Sequence, residues 1–198
     1  AGTITPDFLI KKMFEEQKEI TNFYYKRTRE HIDRVKKYMD LIYNSDPKRF
    51  YLLPSRKETH DQSKYEKPEL DSYKILTWKY HCTDIGKEFE INENTKRQIQ
   101  IATYHHVKHN QHHPEFHDPD TTIESINPKD RDKPPERMVD GTGMTETDIA
   151  EMCADWMGMS EEKGGDPIDW GKKNINKRWM FNEDQIKLIY KLLGLYRK

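Results

Sequence analysis

Apolar sequence is scarce in this chain. Hydrophobic residues fill 33% of its 198 positions, and no apolar run approaches the ~20 residues that a membrane-spanning helix needs. Cysteine is nearly absent. Cys82 and Cys153 are the only two, which excludes a disulfide framework, and two reduced thiols in a cytoplasmic protein are the expectation. The opening stretch, Ala1-Gly-Thr-Ile-Thr-Pro6, has neither the basic nor the apolar region of a signal peptide. An excess of either charge is also missing. Lys and Arg number 34 against 35 Asp and Glu, so no global field draws the chain to nucleic acid, and such a partner is not expected. No internal repeat is visible.

Aromatic residues offset the thin apolar share. Eleven Tyr, seven Phe and four Trp each bury a large area, enough for one folded domain at this length. Helical periodicity dominates, and the expected fold class is all-α, a single-domain helical bundle. Thr5-Pro6-Asp7 is a helix start, with a capping hydroxyl, a first-turn proline and an early carboxylate. Helical pattern then runs from Phe8 towards Asn44, with a break expected near 22–28. Ile20, Tyr24, His31, Val35, Tyr38 and Ile42 fall within about 40° of one line at ~100° per residue. Residues 48–58 read as a mixed loop. A helix after Pro68 would use Leu70, Tyr73, Leu76, Thr77 and Tyr80 as its core face and end before Gly86. Another helix is expected over 94–110, and one from the capping box Thr145-Glu-Thr-Asp148 to about Ser160. A last helix, capped by Asn182, would close the bundle.

The chemistry-bearing residues are few and grouped. His60 and Asp61 are adjacent, and an imidazole beside a carboxylate can grip a divalent metal from one short turn. Two ligands do not hold an ion, so others have to come from elsewhere. His31 lies on the inward stripe of the first helix; alone it reads more readily as a core histidine, and the His-Asp pair downstream reverses that preference. Seven of the nine histidines lie between positions 81 and 117, including His105-His106, His109 and His112-His113. Asp155 flanks the apolar face formed by Ile149, Met152, Cys153, Trp156 and Met159. A carboxylate there is costly unless paired or metal-bound. Residues 114–143, with five of the ten prolines and the bases Lys129, Arg131, Lys133 and Arg137, read as a long loop, either a lid or a surface excursion. Trp170 and Trp179 flank a basic segment and are read as packing anchors before nucleic-acid stackers.

In type and order, His31, His60-Asp61 and Asp155 resemble the metal-dependent HD phosphohydrolase superfamily. A closer similarity, to an uncharacterised HD-like family common in phages and bacteria, rests on four stretches. They are His31-Ile-Asp-Arg-Val35, His60-Asp-Gln-Ser-Lys64, Tyr104-His-His106 with Asn110-Gln-His-His113, and Met152-Cys-Ala-Asp-Trp156. The resemblance implies an HD-type helical fold and a cytoplasmic protein, of viral or bacterial origin. It also implies a divalent metal (Mn, Fe, Co, Ni or Zn) held by His31, His60, Asp61 and Asp155. Members with two ions add histidines between the doublet and the last Asp; here His81, His105, His106 and His112 are the candidates. His112-His113 is similar to the paired histidines of cyclic-dinucleotide phosphodiesterases, although no Gly-Tyr-Pro follows. The implied activity is hydrolysis of a nucleotide or related phosphate ester by activated water. Lys64 would bind phosphate, and Glu66 or Glu69 would orient water or a sugar hydroxyl. One or more of His106, His109, His112 and His113 would protonate the leaving oxygen. The alternatives are a di-iron oxygenase of the same superfamily and a non-enzymatic, metal-stabilised binding or virion-associated protein.

Overall fold

A computed structural model describes residue 2, residues 5–126 and residues 136–197. Among them, eight α-helices and two two-residue strands form a single helical domain. The first helix, α1 (Pro6–Ser45), is 40 residues long, capped by the Thr5 hydroxyl on the Phe8 amide. It is continuous through the stretch where a break was expected. Asn22–Thr28 contains no glycine or proline, and its inward residues Tyr24 and Thr28 are buried, so nothing there competes with the helix. A short helix, α2 (Leu53–Thr59), replaces the expected loop: Pro54 occupies its first turn and Leu53 is fully buried. A 3₁₀ turn over Gln62–Tyr65 follows the His-Asp doublet.

Next come α3 (Glu69–Asp84) and α4 (Glu93–His109), the latter capped by Asn92. On α3, Tyr73 and Thr77 are buried as expected, whereas Tyr80 is 47% exposed, and Trp78 and Cys82 take the inward places. The stretch expected as a structureless loop is partly built. It contains α5 (Pro114–His117), a 3₁₀ turn over Ile123–Ser125 and β1 (Val139–Asp140). Arg137 pairs with Asp118 and Asp120. Lys129, Arg131 and Lys133 lie outside the described residues. The chain closes with α6 (Glu146–Lys163), α7 (Pro167–Asn174), β2 (Trp179–Met180) and α8 (Glu183–Leu193), and β2 pairs in parallel with β1.

The core sits between α1, α6 and α8. Val35, Met39 and Ile42 of α1 meet Met152, Cys153 and Met157 of α6 and Ile189 and Leu193 of α8, all essentially without solvent exposure. Gly158 sets the α1–α6 spacing, because a Cβ there would lie 3.1 Å from Val35 Cγ2. Trp179 stacks on Trp156 and donates its indole N–H to Glu115, so it packs the core. Both cysteines are free and buried. No described helix is long and apolar enough to cross a membrane.

Candidate metal centre

His31 and Asp155 face each other because α1 and α6 cross at Val35 and Gly158, one turn beyond each. The doublet reaches the same point from the bend between α2 and the following 3₁₀ turn. Asp61 adopts φ 54 there, the left-handed region that aspartate tolerates better than most residues. This bend turns both His60 and Asp61 inward, each 1% exposed. The end of α4 supplies His106, and the turn after it supplies His112 and His113.

The geometry is organised by the two oxygens of Asp61. Oδ2 lies 3.1 Å from His31 Nε2, 3.6 Å from His60 Nε2 and 2.7 Å from Lys64 Nζ. Oδ1 lies 3.4 Å from both His106 Nε2 and His112 Nε2. Asp155 Oδ1 is 3.1 Å from His31 Nε2 and 3.9 Å from His60 Nε2, and its Oδ2 is 4.0 Å from His112 Nε2. Two groups with metal-ligand geometry result: His31, His60, Asp61 and Asp155, and Asp61, His106, His112 and His113. Asp61 belongs to both. His60 and His112 form a third such group with Glu151.

Behind these rings lies a layer of carboxylates. Glu151 Oε2 is 2.8 Å from Nδ1 of both His60 and His112. Its other oxygen accepts from Arg56, which also holds Asp148. Glu69 is fully buried and lies 2.6 Å from Nδ1 of His106 and of His105. A carboxylate on Nδ1 fixes the ring orientation and leaves Nε2 for a cation. Nε2 of His60, Nε2 of His112 and Oδ1 of Asp61 are buried without a hydrogen-bond partner, which is costly unless something else satisfies them.

The electrostatics agree. Four carboxylates, Asp61, Glu69, Glu151 and Asp155, share this interior with two permanent cations, Lys64 and Arg56, and Arg56 also carries buried Asp148. Burial would raise each acid, but the surrounding imidazoles and Lys64 outweigh it and hold Asp61, Glu151 and Asp155 well below the ordinary carboxylate range. Burial would lower His112, but Glu151, Asp61 and Asp155 push it up to about 9. His106 is instead lowered, chiefly by burial. A site whose acids raise the basicity of His112 and His31 is one that a divalent cation suits.

The structure brings His31, His60, Asp61, Asp155, His106, His112, His113 and Lys64 together. The remaining candidates stand elsewhere. His81 packs against Phe23 and Trp78 and belongs to none of the three groups. His105 leans on Glu69, and exposed His109 donates Nδ1–H to the His105 carbonyl. Glu66 is exposed. Glu69 serves as the carboxylate behind His105 and His106. Residue patterns passed over Glu151 and Arg56. The spacing of Glu151, four residues before Asp155 on one helix, was the available signal, because it places both carboxylates on one face.

The sequence profile of a family of unknown function (DUF5662) matches residues 20–194. No curated protein matches, and no solved structure matches.

Proposed function

The chain belongs to that family of unknown function, and from its buried site we propose a metal-dependent phosphohydrolase acting on a nucleotide or related phosphate ester. One observation carries this reading: a single buried carboxylate, Asp61, turns its two oxygens towards two different sets of imidazoles. His31, His60, Asp61 and Asp155 would hold one divalent ion, and Asp61, His106, His112 and His113 a second beside it. Ions bound there supply Lewis acidity, which activates water and polarises a phosphoryl oxygen.

The chain's own groups have separate tasks. Glu151 and Glu69 present Nε2 of His60, His112 and His106 to the centre. Lys64 lies 2.7 Å from Asp61 and keeps part of its surface open, so its ammonium can turn to a substrate phosphate as a point charge. A fixed cation at this edge favours an anionic substrate. Burial of the ligand rings excludes bulk water from the reacting atoms.

The test is release of phosphate or nucleoside from a nucleotide panel with Mn, Fe, Co, Ni or Zn added, with Asp61→Ala as control. Turnover by the parent and its loss in the variant are expected. Equal turnover by both, or none by the metal-loaded parent on any nucleotide, overturns the proposal. A di-iron oxygenase would use the same double ligand set. Two irons per anaerobically purified chain, oxygen consumption and no phosphate release would put that reading in its place.

A further inference from the structure

Residues 6–19 of α1 are helical, and every one of them is exposed. At ~1.5 Å per residue this overhang runs about 21 Å beyond the body. It is not a polar spacer. Phe8, Leu9, Ile10, Met13 and Phe14 are 49–69% exposed. At ~100° per residue, Leu9, Ile10, Met13 and Phe14 lie within about 70° of the line followed by Tyr24, His31, Val35, Met39 and Ile42. The face that α1 buries against α6 and α3 therefore continues, uncovered, past the end of the body. The family match starts at residue 20, where this overhang ends.

The charges beside the stripe choose its occupant. Lys12 and Glu16 edge one side, and Asp7 and Lys18 edge the other. A parallel copy sets Lys12 level with the same base, and Glu16 level with the same acid. An antiparallel copy centred between Met13 and Phe14 reverses this. Lys12 then faces Glu16 of the second copy, and Asp7 faces Lys18. Each relation is returned by the two-fold symmetry. Length fits as well: in this register the tip of each helix ends level with residues 20–21 of the other, at the edge of its body.

We infer that this overhang is a self-association surface, on which a second copy of the chain packs antiparallel through Leu9, Ile10, Met13 and Phe14. The surface is small, at the low end of specific interfaces, so the dimer is concentration-dependent. It is independent of the metal centre.

Sedimentation velocity of the full chain over a concentration series tests this. A monomer–dimer equilibrium is expected. Met13→Glu with Phe14→Glu should abolish it while leaving the circular dichroism spectrum and thermal midpoint unchanged, since these side chains are 62% and 69% exposed in the monomer. Lys12→Glu with Lys18→Glu should weaken association roughly tenfold or more, and adding Asp7→Lys with Glu16→Lys should restore it. For direction, mixed single-cysteine variants Ile10→Cys and Gln17→Cys should form mixed disulfides in preference to like pairs. A monomer at all concentrations, a dimer indifferent to the glutamates, no rescue by the charge exchange, or preferential like-pair disulfides would each overturn the inference.

Discussion

Glu151 stands behind two of the site's rings. One of its oxygens hydrogen-bonds Nδ1 of His60 and lies 2.8 Å from Nδ1 of His112, and the other accepts from Arg56, so one carboxylate meets two rings from distant segments. Glu151→Gln removes the charge while keeping the shape, and an amide offers one accepting oxygen where the carboxylate offers two. The expected result is metal affinity about 10–100-fold weaker, read by titration calorimetry with Mn or Co. Glu66→Gln changes an exposed carboxylate outside the cluster and should leave affinity unchanged. The contrast decides whether the carboxylates that matter are the buried ones. The ligand candidates were legible at this scale: a His-Asp doublet, an inward His and a carboxylate beside an apolar stripe are rare on packing grounds alone. The orienting carboxylates were not, because Glu151 and Glu69 look like ordinary helix-surface acids until the fold encloses them. Nor could helical spacing choose His106 over His81, since both lie on helices and only the tertiary arrangement turns one of them to Asp61.

Between elements, the α1–α6 crossing fixes how closely two of the ligands approach. Gly158 is three residues past Asp155, and Val35 is four past His31. Their contact, with a would-be Cβ at 3.1 Å, acts as a spacer for the 3.1 Å approach of His31 to Asp155. Gly158→Leu cannot be accommodated without separating the helices. It should destabilise by about 1–3 kcal/mol or more through overpacking, measured by urea unfolding, and weaken metal binding in the same variant. Tyr80→Ala, at an exposed position on α3, should change either by no more than about 0.5 kcal/mol. Most helices were legible from caps and periodicity: Thr5, Asn92, Thr145 and Asn182 all cap as their side chains suggest. The misreadings have local causes. The break expected at 22–28 falls where Tyr24 and Thr28 carry the buried stripe of α1 straight through, and α2 is too short for periodicity to separate it from a loop.

For the whole molecule, the acids of the cluster outnumber its permanent cations: Asp61, Glu69, Glu151 and Asp155 stand against Lys64 and an Arg56 that is shared with buried Asp148. Raised His112 and His31 supply part of the balance without a cation. The centre draws on α1, the α2 bend, α3, α4, the turn after α4 and α6, whose ordering in the unfolded chain is lost, so an ion that binds there binds the folded state alone. By mass action, a divalent ion at 100 times its Kd adds about 2.7 kcal/mol of stability. At about 2–4 °C per kcal/mol for a chain of this size, that is roughly 5–10 °C in Tm. The expected outcome in differential scanning calorimetry is therefore a rise of this order on adding Mn, Co or Zn to chelator-treated protein, reversed by excess chelator. Asp61→Ala removes the carboxylate common to both ligand sets and should lose the response. It should also unfold differently from the parent in the metal-free state, because the imidazoles then face one acid fewer. A Tm indifferent to every divalent ion, or a response of equal size in Asp61→Ala, would mean that the cluster is a buried ion-pair network whose acids are balanced by protonated histidine alone.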